Sequence, residues 1–150
     1  MNLFAFSSNN LTNIWAGIGA QLWAVSETTD QTIQARKTAS KKMPIGSLGI
    51  LYCKETKAFT TPFIVYSHPS PDKRIDNIWP EPWVLPFKIK TLGTPEKSMP
   101  IDTTMSKLPV CVKSGKNNIS HVIFIHGQLV FTPTAIEPED WQIIVDELAI

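Results

Sequence analysis

The residues of this 150-residue chain whose types could do chemistry are three histidines, two cysteines, a few clustered carboxylates and five tryptophans. His68, His121 and His126 lack the spacing of metal ligands on one element. His121 and His126 lie five apart on what reads as a strand, so they face opposite sides. Asp72, Asp76 and Glu81 share a proline-rich loop, which offers neither the burial nor the rigid neighbours that split two carboxylate pKa values for acid–base work. Ala16-Gly17-Ile18-Gly19-Ala20 contains a GxG, but in a helical stretch. A dinucleotide-binding turn needs the order strand, glycines, helix. There is no GxSxG elbow and no Walker loop. No catalytic residue, metal ligand or cofactor is expected, and the chain does not read as an enzyme.

The tryptophans divide into two groups. Trp15 and Trp141 sit on apolar helical faces and are expected in the core. Trp23, Trp79 and Trp83 lie off the helices. Trp23 stands on a short strand followed by Ser26-Glu27-Thr28-Thr29, and Trp79 and Trp83 flank Pro80-Glu81-Pro82. Prolines order such a loop in advance and reduce the entropy lost on binding. Two or three aromatic walls with polar residues at the rim suit a planar ligand such as a flipped nucleobase. Packing alone is the competing role for all five.

These residues must be positioned by short elements. Residues 2–6 read as a strand. Leu11, Ile14, Trp15 and Ile18 make one helical face, closed by Gly17 and Gly19. A strand over 22–25 follows, then a polar, basic helix over 30–43 ended by Met43-Pro44. Residues 47–53 read as a buried strand, 54–61 as a polar hairpin connection and 62–67 as the returning strand. A long loop covers 68–82, a half-exposed strand 84–90, and 91–109 show no periodicity. Residues 121–125 read as a strand. Pro138, Glu139 and Asp140 open a final helix with Trp141, Ile144, Val145 and Leu148 on one face. The sum is an α+β single domain over 1–150: a small β-barrel of about five or six strands flanked by two or three helices.

Composition narrows the function further. Hydrophobic residues at 43% and charged residues at 18% give one sizeable core and exclude a disordered chain or a coiled coil. A net charge of +1 excludes a uniformly basic, histone-like binder. It conceals a split, however. Residues 31–60 carry six basic side chains against the single Glu55, whereas residues 137–150 carry five acids and no base. Residues 1–6 lack the basic start of a signal peptide, and no apolar run approaches the roughly 20 residues of a membrane span. A cytoplasmic protein with no membrane partner is expected, with Asn10 and Asn118 of its two sequons unglycosylated and Cys53 and Cys111 as buried free thiols.

Three stretches together resemble the EVE domain, a member of the PUA-like superfamily related to YTH domains: Leu22-Trp23-Ala24-Val25-Ser26; Ile33-Gln34-Ala35-Arg36 with Met43-Pro44-Ile45-Gly46-Ser47-Leu48-Gly49-Ile50-Leu51-Tyr52; and Trp83-Val84-Leu85-Pro86-Phe87-Lys88-Ile89. The ending, Phe131 to Leu148, is similar to the closing helix of such domains. The resemblance implies a PUA-like barrel that holds a modified, typically methylated, base of DNA or RNA in an aromatic cage. In bacteria and archaea, relatives often supply the specificity of modification-dependent restriction systems. Carried over by position, Trp23 with Trp83 or Trp79 would form the walls, and Ser26 and Thr28 the rim. Arg36, Lys41, Lys42, Lys54 and Lys57 would meet phosphates. The partners implied are nucleic acid with a modified base and a separate nuclease or effector protein. The hairpin at 54–61 lacks the family's glycines, and Phe63 and Tyr66 replace small residues, which implies a narrower pocket. The alternative function is a protein-interaction or small-ligand domain on the same barrel, with the acidic C-terminal helix as docking surface.

Overall fold

A computed structural model describes residues 1–27 and 29–150. The first strand, β1 (Asn2–Ser8), sends Phe4 and Phe6 to one side and Leu3 and Ala5 to the other, and all four are buried. Asn10 then caps α1 (Leu11–Ala20): its side chain accepts from the Asn13 backbone N–H at 2.9 Å. The helix runs through Gly17 and Gly19, which were expected to close it, and stops at Gln21 with φ +49°. Gly17 serves packing instead, since a Cβ there would come within 2.7 Å of the Trp23 ring. The chain continues as β2 (Leu22–Ser26), α2 (Asp30–Ser40), β3 (Leu48–Cys53), β4 (Ala58–Val65), β5 (Arg74–Ile75), β6 (Trp83–Thr91) and β7 (Ser98–Pro100). It ends with α3 (Ile101–Lys107), α4 (Pro109–Ser114), β8 (Thr134–Ala135) and α5 (Pro138–Leu148).

The strands form one mixed sheet in the order β2-β6-β4-β3-β1-β8, with β5 paired to β6 and β7 to β4. β1 and β3 run parallel, and the remaining pairs are antiparallel. The sheet is open, with β2 at one end and β8 at the other, so the expected closed barrel is not formed. Among the described residues, eight strands and five α-helices replace the five or six strands and two or three helices expected. The physical reason is that both faces of the sheet are buried. Phe6, Trp23, Leu51, Phe63 and Phe87 belong to one core, and Ala5, Ile50, Phe59, Met99 and Ile144 to another on the opposite side. A small barrel would bury only its interior face.

Two bulges bend this sheet. Opposite β3, the β4 register shifts between Gly49 and Leu51; opposite β2, the β6 register shifts between Trp23 and Val25. Each extra residue precedes or is a proline. Thr61 has φ +53° before Pro62, and Leu85 has φ +57° before Pro86. Proline has no N–H to give to a ladder, so it is accommodated where the ladder is already broken. The second bulge sets Trp83 opposite Ser26.

Three segments differ from the sequence reading. β4 begins at Ala58, inside the expected connection, because buried Thr60 satisfies its hydroxyl on Thr94 O and Lys97 O at 3.1 and 2.8 Å. Within 91–109, where no periodicity was found, the chain forms β7 and α3 and begins α4. Residues 121–125 are not a strand. A 3-10 turn, Ile119–His121, leads into an irregular run whose Val122, Ile123 and Ile125 fill the second core without pairing.

Candidate functional site

The C-terminal ends of parallel β1 and β3 and the end of β2 open into a cleft of about 300 Å³. Ligands of open sheets commonly bind beyond the carboxyl ends of parallel strands. Ser7, Ser8 and Asn9 line it from β1 and the following turn, Asn10 and Asn13 from the start of α1, and Lys54 from the end of β3. Trp23 and Ser26 contribute from β2, Trp83 with Pro80 and Glu81 from the start of β6 and its loop, and Arg36 from α2. Residues 125–127 close the remaining side.

The three off-helix tryptophans come together, as their types promised. Trp79 and Trp83 stack at 4.1 Å and 13°, and Trp23 stands edge-on to both, at 5.8 and 5.2 Å. A base between two parallel rings needs them roughly 7 Å apart, twice the ~3.5 Å contact distance. No slot therefore exists between Trp79 and Trp83. Trp79 is outside the cleft lining and backs Trp83, with its indole N–H donating to Asn13 O at 3.0 Å. Trp23 and Trp83 line the cleft as part of the first core, and little of either is open to it: Trp23 is 1% exposed and Trp83 8%.

The polar groups differ in how far they are committed. Asn10 is spent on its cap, and the Ser8 hydroxyl donates to Asn10 O at 2.8 Å. The carboxamides of Asn9 and Asn13 and the Ser7 hydroxyl have no hydrogen-bond partner among the described residues, so their donors and acceptors are free for a ligand. Arg36 reaches across the rim: Nη1 donates to Ser26 O at 2.9 Å and Nη2 to Gly127 O at 3.1 Å. Its buried Nε has no partner, and no carboxylate pairs with it among the described residues. Burial pushes this guanidinium below its ordinary pKa.

Of the expected basic contacts, Arg36 and Lys54 lie in the cleft wall, while Lys41, Lys42 and Lys57 lie outside it. Thr28 falls outside the described residues. Phe63 is buried in the first core and Tyr66 is exposed, so neither narrows the cleft. Asn9 escaped the sequence reading because an Asn-Asn pair before a helix already has a local explanation as a turn and cap, and Asn13 because it reads as one polar position on the solvent side of that helix. Trp15, expected in the core, is 43% exposed, because α1 buries only the stripe of Ile14 and Gly17. Trp141 packs partly buried against the second core.

No protein-family model matches the sequence, and no curated protein matches it. Solved structures do match its fold. The Pho92 YTH domain in complex with m6A superposes with a TM-score of 0.62 over 97% of this chain and 82% of that one, at 15% identity. The Mmi1 YTH domain in complex with RNA gives 0.58 over 97% and 77%, at 14% identity. The YTH domain of Zygosaccharomyces rouxii MRB1, in complex with N6-methyladenosine RNA, gives 0.52 over 77% and 71%, at 15% identity.

The fold is YTH-like. On this YTH-like frame the cleft combines a floor of two largely buried tryptophans, three uncommitted polar side chains and an arginine without a counter-charge. Such a set can hold one flat, polar-edged group carrying a negative charge beside it. Among the described residues no cluster of three His, Cys, Asp or Glu stands close enough to hold a metal ion.

Proposed function

We propose that this protein is a non-enzymatic reader of a modified, methylated base in nucleic acid. The observation that carries the reading is the cleft itself: Trp23 and Trp83 beside the free carboxamides of Asn9 and Asn13, on a fold whose solved examples include domains in complex with N6-methyladenosine RNA. The base stacks on the cleft side of Trp83, and Trp79 stiffens that wall from behind. The edge-on Trp23 ring bounds the alkyl group. Asn9, Asn13 and Ser7 read the polar edge of the base, and Ser26 stands at the rim; Thr28 is assigned to the same contact by the EVE-type resemblance alone. A volume of about 300 Å³ lies at the low end of the roughly 300–1,000 Å³ usual for small-molecule sites, which suits one base. Arg36 and Lys54 meet the adjoining phosphates, while Lys41, Lys42 and Lys57 meet the strand farther out. The EVE-type resemblance extends this reading to a specificity component in the cytoplasm, with a separate nuclease or effector acting where the reader binds.

RNA oligonucleotides with and without N6-methyladenosine, and the matching DNA pair, test it by fluorescence anisotropy. The modified strand is expected to bind at least tenfold tighter. Trp83→Ala should cost about 1–3 kcal/mol, the worth of one stacked ring. Asn9→Ala, a surface change that spares the core, should reduce the preference for the modified base. Equal binding of modified and unmodified strands, unchanged in both variants, would sink the reading.

A further inference from the structure

The cleft does not account for all of the basic surface. Lys37, Lys41, Lys42, Lys88 and Lys90 lie outside the cleft lining, on α2, just after it and on β6, and none of the five forms a salt bridge among the described residues. At the end of β3 away from the cleft stands Tyr66, 55% exposed, beside Ile45 at 56%. The two are held together by the ladder: Gly46 N–H donates to Val65 O at 2.7 Å, and Val65 N–H to Ser47 O at 2.9 Å. On its other side, Tyr66 N–H donates to Lys88 O at 2.8 Å. Lys41 and Lys42, both exposed, lead into this turn.

We propose that the Tyr66 surface is a second nucleic-acid contact, which takes the single-stranded flank of the strand bound at the cleft. An exposed ring on a surface with lysines that form no salt bridge is an arrangement that stacks bases without reading them and tracks a backbone by charge. A basic path joins the two sites along α2. Arg36 stands in the cleft wall, and Lys41 follows five residues later, about 7.5 Å at the helical rise. The proposal rests on the reader function for which strand is bound, and its test separates the two.

The experiment measures binding of the full chain to a 5-nucleotide RNA with a central N6-methyladenosine and to a 15-nucleotide RNA with the same centre. Extension should tighten wild-type binding about tenfold, as expected for one stacked base and a few phosphates. Tyr66→Ala and Lys88→Glu should each remove most of that gain and leave 5-nucleotide affinity within about twofold, since neither lines the cleft. Equal wild-type affinity for both lengths would overturn the proposal. So would retention of the gain in Tyr66→Ala while Lys88→Glu loses it, because stacking would then play no part. If modified and unmodified 5-nucleotide strands bind alike, base recognition fails, yet the unmodified 15-nucleotide strand still decides the Tyr66 contact.

Discussion

Arg36 is costly as a residue: its guanidinium is partly desolvated, held by two backbone carbonyls, and has Nε unpaired. Desolvating a charge without a counter-ion costs free energy, which the two carbonyl acceptors offset only in part. The sequence singled out Arg36 from the basic helix that carries it, and Trp23 and Trp83 from lying off the helices, and the three line one cleft. Asn9 and Asn13 were not singled out, because nothing in a short polar run tells a capping amide from one left free. Cys111 gives the opposite case, a buried group with no use for its charge. Burial, helped by the Asp140 carboxylate, pushes its thiol up to about 11. An unfolded thiol loses its proton near pH ~8.5. Between those values the folded chain binds more protons than the unfolded one, so stability falls as pH rises from about 9 through 11. The slope is at most about 1.4 kcal/mol per pH unit for this thiol. Tyr52, raised by burial as well, acts in the same direction. Urea unfolding at pH 8 and 10.5 should show the loss, and Cys111→Ala should flatten it. An unchanged slope in that variant would place the effect elsewhere.

Elements with a strong internal pattern were legible: α1, β2, α2, β6 and α5 are all present, although α1 runs past the glycines expected to close it and α2 stops at Ser40, short of Met43. The missed elements hide their pattern for identifiable reasons. Thr60 and Thr61 make β4 look polar, yet they are buried and bonded to one another and to the 94–97 turn. The run at 121–125 is apolar enough for a strand but fills a core without a pairing partner. α5 illustrates how one residue binds elements together. Asp140 is fully buried; Oδ2 accepts from Glu137 N–H at 2.9 Å as part of the capping box, and Oδ1 accepts from Val110 N–H at 2.9 Å in α4. Asp140→Ala leaves two donors without partners. It should cost about 2–4 kcal/mol in thermal or urea unfolding. Cleft binding below the melting temperature should be unchanged, because α4 and α5 pack against the other face of the sheet. A loss of base binding in the folded variant would contradict that separation.

At the scale of the molecule, the sequence marked an α+β domain with split charge, but not an open sheet buried on both faces. Short strands rich in apolar residues read alike in either architecture, and only the pairing partners separate them. The two-sided core divides labour, with the cleft and its aromatic rings on one side and the C-terminal helices on the other. A ligand that binds only the folded cleft stabilises the whole domain by mass action, about 2.7 kcal/mol at a hundredfold excess over Kd. The modified oligonucleotide should therefore raise the melting temperature, and the unmodified one should raise it less. The contacts that build the cleft are also far apart along the chain: Arg36 and Gly127 are separated by 91 residues, and Trp79 and Asn13 by 66. Closing such distances carries the largest loop entropy and slows folding. The cleft is thus assembled only once residues as far apart as Asn13 and Gly127 have come together, and no short peptide cut from the chain carries it.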